Sequence, residues 1–397
     1  MPSATRYNTA LVLAIAYMKR LLLITDPLGG AHSVQFELME SLSAYLKQSF
    51  DTTVMSIFID KAKINSLKSL GINAISVHSI LPFLNRMFKL LNSNNESMLW
   101  LESWLREGFF SRNSRELQKF INSQGFDYVI NATTTVPVDS DIWWIQGPPL
   151  IITLRGMVSD NYLAKAGIFA VGPFVRRIDI RLIEAMRYKS SKCLAGSGYV
   201  RDVLRLWNVE VDGVVYSTKN FSNFTPTTNF PSRDFMLVYI GKETDIFPIE
   251  KIAENGVKII GFGSKLPIGT RLEKLKKLID FKGFVSMDQL RVMYTNALVT
   301  LFPFSIEALG YIPIESMACG TPVLTYNNQG PAETVVNGET GWLVENGEEF
   351  IEKALDLWKS KSTGITQKQC VDRATFFTAK NSARLLAQYL DRAPEGK

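Results

Sequence analysis

Histidine and cysteine are scarce in this chain of 397 residues, which has two histidines and three cysteines. A metal centre built from several histidines is therefore excluded. The cysteines, at positions 193, 319 and 370, are too far apart in sequence for a paired thiolate motif or a disulfide framework. We therefore expect a reducing, cytoplasmic setting. Any chemistry must use carboxylates, amides, basic side chains and backbone groups, without a metal ion or a resident cofactor.

Long apolar runs are also missing from the sequence. The run at residues 10–17 has eight residues, whereas a membrane-spanning helix needs about 20. Positive charge follows this run at Lys19 and Arg20, and a signal peptide would carry its charge before the run. We therefore interpret residues 1–17 as an N-terminal extension and expect Met18 to be the functional start.

The net charge is small and unevenly distributed. The chain has 44 lysines and arginines against 38 aspartates and glutamates, and the excess lies in its first half. Residues 155–205 alone hold 10 basic and 4 acidic residues. A local basic patch indicates an anionic partner or membrane surface, or else an ordinary solvated face. We expect no nucleic-acid partner.

Short apolar runs alternate with amphipathic stretches from Lys19 onward, which predicts an α/β fold with parallel sheets. The length suits two domains, and we predict two doubly wound, Rossmann-like domains at residues 18–210 and 211–375 that face a cleft. Residues 220–226 read as a linker between them. The last helix, within residues 376–397, is expected to cross back to the first domain. Local patterns further predict a strand at 150–154, a helix at 177–189 and a strand at 192–195.

The most informative segment is residues 303–323, which read PFSIEALGYIPIESMACGTPV. This pattern predicts a strand, a glycine-bearing loop and a short helix with Pro313 in its first turn and Gly320 at its end. A loop of this kind before a helix presents free backbone N–H groups and a positive dipole end, which suit a diphosphate. Glu307 and Glu315 lie on either side of that anion site, where carboxylates can accept hydrogen bonds from sugar or ribose hydroxyls.

The eight-residue interval from Glu307 to Glu315 resembles the Glu-x7-Glu signature of retaining family-4 glycosyltransferases with the GT-B fold. Further matches surround it, including KGFVS at 282–286, GPAE at 330–333 and GWL at 341–343, so that the resemblance covers about 280–345. It implies a transferase for which a nucleotide sugar is the donor substrate.

The resemblance also implies roles for particular positions. Glu307 would hold the donor sugar, Glu315 the ribose, and the backbone of Leu309, Gly310 and Tyr311 the phosphates. Further donor-binding positions are Phe284 beside the base, the glycine pair after the first strand and the glycine after strand 235–240: Gly29, Gly30 and Gly241.

The chain departs from the family pattern at two places. Lys242 occupies the position of the first cation that neutralises the leaving diphosphate, but the second cation is not evident: Lys265 is one candidate, and a solvated surface lysine is the alternative reading of it. Gln146 stands where many relatives carry a histidine, and an amide cannot shuttle protons. We predict Glu307, Lys242 and Gln146 as the catalytic set, with Gln146 contacting the transferred sugar.

The acceptor side suggests a lipid-linked or membrane-proximal glycan. Apolar residues at 164–175 precede Arg176, Arg177 and Arg181, a combination typical of surfaces that meet an anionic membrane. We therefore expect a hexosyl-type transferase of glycan biosynthesis, peripheral on the cytoplasmic face of a membrane. Two alternatives remain open, namely a catalytically silent sugar-nucleotide-binding protein and a sugar-nucleotide epimerase of the same architecture.

Overall fold

The computed structural model describes residues 18–29, 33–77, 96–110, 112–157, 162–241, 243–263, 270–304 and 306–391. Within these residues the chain forms two parallel sheets with interleaved helices, one after the other in sequence. The predicted α/β fold class with two doubly wound units is confirmed. The extension at 1–17 lies outside the described residues, and the expected domain boundaries stay predictions.

The first sheet has the strand order β3-β2-β1-β4-β5-β6-β7, all parallel. β1 is almost wholly buried, as expected for a strand covered on both faces by helices. The strands of this sheet are β1 (Arg20–Thr25), β2 (Asp51–Ser56), β3 (Asn73–Ser76), β4 (Tyr128–Ala132), β5 (Ser140–Ile145), β6 (Ser190–Ala195) and β7 (Gly213–Val214).

Seven described helices accompany this sheet. Ser33 caps the first of them by accepting a hydrogen bond from the Phe36 backbone N–H. The helices are α1 (Val34–Leu46), α2 (Lys61–Ser69), α3 (Glu96–Phe110), α4 (Arg112–Gln124), α5 (Leu150–Met157), α6 (Tyr162–Tyr188) and α7 (Gly198–Leu206).

One local prediction in this unit is wrong, and another is too short. The segment predicted as a strand at 150–154 is helix α5, because the buried Asp179 carboxylate accepts the Ile151 backbone N–H at 2.9 Å and caps the helix start from a distant position. The helix predicted at 177–189 begins earlier, at Tyr162, and continues through Pro173. Pro173 and Phe169, four residues before it, are exposed, so water can reach the carbonyl that the proline leaves without a donor.

The second sheet has the strand order β10-β9-β8-β11-β12-β13, again all parallel. The strand predicted at 235–240 is present at Met236–Tyr239. The strands are β8 (Met236–Tyr239), β9 (Ile259–Phe262), β10 (Asp280–Phe281), β11 (Thr300–Phe302), β12 (Val323–Tyr326) and β13 (Gly341–Val344).

The helices of the second half include a C-terminal one that leaves its own sheet. Helix α15 packs on α1 of the first unit, where Ala383, Leu386 and Leu390 join the core around Leu42 and Leu46. The helices are α8 (Ile246–Glu254), α9 (Thr270–Leu278), α10 (Met287–Asn296), α11 (Tyr311–Ala318), α12 (Pro331–Thr334), α13 (Gly347–Ser360), α14 (Gln367–Ala374) and α15 (Ala379–Asp391). Among the described helices, none combines the length and apolarity needed to cross a bilayer.

A carboxylate joins the two units at the start of α7. The Glu333 side chain, from α12, accepts the backbone N–H groups of Gly198 at 2.7 Å and Tyr199 at 2.6 Å. These two N–H groups belong to the first turn of α7, where no intrahelical acceptor exists. Glu333 therefore caps a helix of the first unit from the second unit.

We expect Glu333→Ala to destabilise the folded chain by about 1–2 kcal/mol, because two charge-assisted hydrogen bonds at a helix start are lost. The measurement is the urea or thermal unfolding midpoint, and the matched control is Glu339→Ala, at an exposed glutamate nearby. Equal midpoints for the two variants would contradict a stabilising role for the cap.

Candidate active site

A cavity of about 510 Å³ lies between the two units, and most of its wall comes from the second unit. Val34, Pro148 and Thr153 contribute from the first unit. Parallel α/β sheets bind ligands beyond the carboxyl ends of their strands, and the loops lining this cavity follow strands β5, β8, β9, β10 and β11. The cavity is therefore where the fold places a ligand site.

The Glu307 side chain lies at the turn into α11. Gly310 has φ 96°, a left-handed conformation that favours glycine, and this residue reverses the chain into the helix. The Oε1 of the half-buried Glu307 accepts hydrogen bonds from the backbone N–H groups of Leu309 at 3.4 Å and Gly310 at 3.2 Å. Burial raises the pKa of Glu307, and these amides oppose that effect. A diphosphate that used the same amides would displace the carboxylate from them.

The Glu315 side chain is 6% exposed and has two partners. Its Oε1 lies 3.1 Å from the Lys219 Nζ, and its Oε2 accepts the Tyr294 hydroxyl at 3.2 Å. Burial raises the pKa of Glu315, while Lys219 and Tyr294 act in the opposite direction. Glu315 and Glu307 both line the cavity, and their roles beside an anion site stay predictions.

Lys219 is a residue of this site that sequence reasoning missed. Its ammonium also contacts Glu37 Oε2 of α1 at 2.7 Å, so one lysine bonds a carboxylate from each unit. Burial alone would lower the pKa of Lys219, but Glu315 and Glu37 together raise it. Little in the sequence points to this role, because Lys219 is a single lysine before the stretch that reads as a linker and belongs to no periodic pattern or motif.

The predicted base-binding position, Phe284, lines the cavity and is 64% exposed. Phe262, Gly263, Val285 and Leu290 lie in the same part of the wall, which is mostly apolar. An exposed aromatic ring beside such a wall is suited to stacking on a flat ring.

The other predicted donor-binding residues that the structure describes are buried or form contacts within the protein. Tyr311 lines the cavity and donates its hydroxyl to the Ser217 carbonyl at 2.6 Å. Leu309 is buried, the Gly241 N–H donates to Thr244 Oγ1, and the Gly29 N–H donates to Glu96 Oε1. Their roles stay predictions.

Three predicted residues lie outside the described part of the chain: Gly30, Lys242 and the alternative cation Lys265.

Gln146 directly follows β5 and lies two residues before the cavity residue Pro148. Its buried Nε2 has no hydrogen-bond partner among the described residues. Also within that part of the chain, no three His, Cys, Asp or Glu side chains are grouped to hold a metal ion. The absence of a metal requirement stays a prediction.

Comparison with known proteins identifies the class. Residues 268–375 match the family described as glycosyl transferases group 1. The alpha-1,3/1,6-mannosyltransferase alg-2 of Neurospora crassa is 32% identical over 111 residues, which cover 26% of this chain and 24% of that protein. The capsular polysaccharide biosynthesis glycosyltransferase CapM of Staphylococcus aureus is 44% identical over 68 residues, covering 16% and 18%. The matched segment thus spans about a quarter or less of each relative.

Solved structures share the fold over nearly the whole chain. Sucrose-phosphate synthase from Thermosynechococcus elongatus has a TM-score of 0.68 at 15% identity, covering 94% of this chain and 98% of that one. HepE of Anabaena in complex with UDP-glucose has a TM-score of 0.60 at 12% identity, covering 94% and 99%. The two facing α/β units are those of the GT-B glycosyltransferases. The family match at residues 268–375 includes Glu307 and Glu315, and the resemblance to glycosyl transferases group 1 that these residues carry is confirmed.

Asp26, the residue that follows β1, gives this region a pH-dependent stability. Burial, and to a smaller extent the nearby Glu96, raises the pKa of Asp26 to about 7, and its Oδ1 has no partner among the described residues. Between about pH 4 and pH 7 the unfolded chain releases this proton while the folded chain keeps it, so stability falls as the pH rises through that window.

We therefore expect Asp26→Asn to stabilise the chain at about pH 8, by roughly 2–4 kcal/mol, and to have little effect at about pH 4. Urea unfolding at the two pH values measures this, with Asp356→Asn at an exposed helical position as the matched control. A gain of the same size at both pH values would show that ionisation of Asp26 is not its cause.

Proposed function

We propose that this protein is a retaining hexosyltransferase that moves a sugar from a nucleotide-sugar donor to a glycan acceptor. The observation that carries the proposal is the position of Glu307 and Glu315, which precede and follow the start of α11 in sequence and both line one cavity between the units. In this arrangement the carboxylates accept hydrogen bonds from hydroxyl groups of the nucleotide sugar, and the start of the helix faces its diphosphate.

The catalytic contribution is positional and electrostatic. The start of α11 and Lys242 stabilise the departing diphosphate, while the acceptor hydroxyl attacks the same face of the sugar. Gln146 holds the transferred sugar by hydrogen bonds and takes no proton. We propose that no metal ion is needed, since the start of α11 and Lys242 would supply the positive potential.

Relatives support the substrate classes. Several are named alpha-1,3/1,6-mannosyltransferase, one is named for capsular polysaccharide biosynthesis, and the HepE structures hold UDP or UDP-glucose. We therefore propose a lipid-linked or membrane-proximal glycan as acceptor and a peripheral, cytoplasmic-face location. The base and the sugar of the donor are to be found by experiment.

A thermal-shift screen with UDP, GDP and ADP and their sugar conjugates tests donor binding. A ligand at 100 times its dissociation constant stabilises by about 2.7 kcal/mol, which is readily detected. Incubation with the donor that binds, with and without glycan acceptors, then separates transfer from silent binding and from epimerisation. NMR of the product anomeric configuration tests retention, and an inverted product would overturn that part of the proposal.

We expect Glu307→Gln to lower turnover and Glu315→Ala to weaken donor affinity, because the first carboxylate faces the reacting sugar and the second faces the ribose. Lys242→Ala should cost about 10²–10³ in rate, as for the loss of other electrostatic stabilisers. The control is Glu339→Gln, at an exposed position outside the cavity wall. Kinetics like those of the parent protein for both Glu307 and Glu315 variants would remove the donor-site assignment.

The acceptor proposal also concerns the exposed face of α6. Arg176, Arg177 and Arg181 are exposed there, and Phe169 is 87% exposed. In the rest of the predicted basic patch, Arg187, Lys189 and Lys192 contact Ser190, Asp139 and Tyr389. A basic and aromatic helix face is suited to an anionic membrane, with about 1 kcal/mol for each charge near the surface.

Replacement of Arg176, Arg177 and Arg181 by glutamate should abolish cosedimentation with anionic liposomes and leave nucleotide binding intact. The parent protein should bind such liposomes in a strongly salt-dependent manner, because the Debye length is about 8 Å at physiological ionic strength. The same three replacements by glutamine provide a charge-neutral control that should bind weakly. If the parent protein does not bind anionic liposomes at low salt, the membrane part of the proposal is excluded.

A further inference from the structure

Lys219 is held between charges and aromatic rings that come from both units. Its ammonium lies 2.7 Å from Glu37 and 3.1 Å from Glu315, and it is less than 6 Å from the ring centroids of Phe221, Phe224 and Tyr311. A buried lysine is costly unless carboxylates or aromatic faces surround it. These contacts fix Lys219 at the cavity wall, which it lines beside Glu315.

The same contacts determine whether the Glu315 carboxylate is ionised. A carboxylate buried this deeply loses its hydration and tends to bind a proton unless a cation is adjacent. Lys219 is that cation, and the Tyr294 hydroxyl occupies a site on the other oxygen. An ionised carboxylate has about four lone-pair positions, so roughly half of its acceptor capacity is left for a ligand.

We propose that Lys219 is a positioning residue which keeps Glu315 ionised and oriented toward the ribose hydroxyls of the donor, and that Glu37 of the first unit holds Lys219 in place. This inference rests on the proposed donor site. It makes ribose recognition in the second unit depend on a carboxylate of the first unit, because α1 must be near α11 for Lys219 to bond both glutamates.

The specific readout is discrimination between a nucleoside diphosphate and its 2′-deoxy analogue. Hydrogen bonds from a ligand to a charged acceptor give strong discrimination against an analogue that lacks the donor group. For UDP, GDP or ADP, whichever binds, we expect the parent protein to prefer the ribose form by about tenfold or more. Lys219→Met should reduce that preference to about threefold or less, by weakening the ribose form selectively.

The matched control is Lys258→Met, which removes an exposed lysine paired with Asp234 and should keep the full preference. Glu37→Gln retains the lysine, and it should disturb folding less than Lys219→Met because the Glu37 side chain is 45% exposed. We expect Glu37→Gln to shift the preference for the ribose form in the same direction as Lys219→Met. The double variant Lys219→Met/Glu315→Gln should show the same preference as Glu315→Gln alone, because the lysine acts through that carboxylate.

Each outcome bears on the inference. If Lys219→Met weakens the ribose and deoxyribose forms equally, Lys219 is a phosphate-binding cation and the positioning role is overturned while the donor site stands. If Glu37→Gln keeps the full preference, the link to the first unit is overturned. If the parent protein binds none of the nucleoside diphosphates, the donor site and this inference fail together.

Discussion

The structure depends on how one buried carboxylate is kept charged. Glu315 lies in helix α11 beside buried apolar residues such as Ile314 and Met317, where an unpaired charge would cost several kcal/mol. Its partner, Lys219, comes from the connection between the two sheets, and that connection must therefore pass along the cavity wall. The stretch that reads as a linker is consequently packed into the core, with Phe221 and Phe224 buried against the second unit.

Two further contacts constrain how the units face each other. Helix α15 returns to the first unit and buries its apolar side there, while Glu333 of the second unit caps α7. Together with the Lys219 bridge, these contacts join the units through residues of several different elements. Separation of the units would break hydrogen bonds to charged groups at Glu333 and Lys219.

How much could be predicted from the sequence differs between the halves. In the second unit the strand, glycine loop and helix around Glu307 are determined by neighbouring residues, so the fold and the paired carboxylates were predictable. In the first unit, helix α5 owes its start to Asp179, which follows it by many residues. Lys219 is likewise defined by Glu37 and Glu315, both distant in sequence. Contacts of this kind leave no local pattern.

The charge of the cavity wall determines how much additional positive potential a bound diphosphate would need. Among the described wall residues, Glu243, Glu307 and Glu315 supply negative charge and Lys219 supplies positive charge. A diphosphate added to this wall would be repelled unless further positive potential faced it. The backbone N–H groups at the start of α11 carry partial positive charge, and Lys242 precedes the wall residue Glu243 in sequence. Their part in binding a diphosphate stays a prediction.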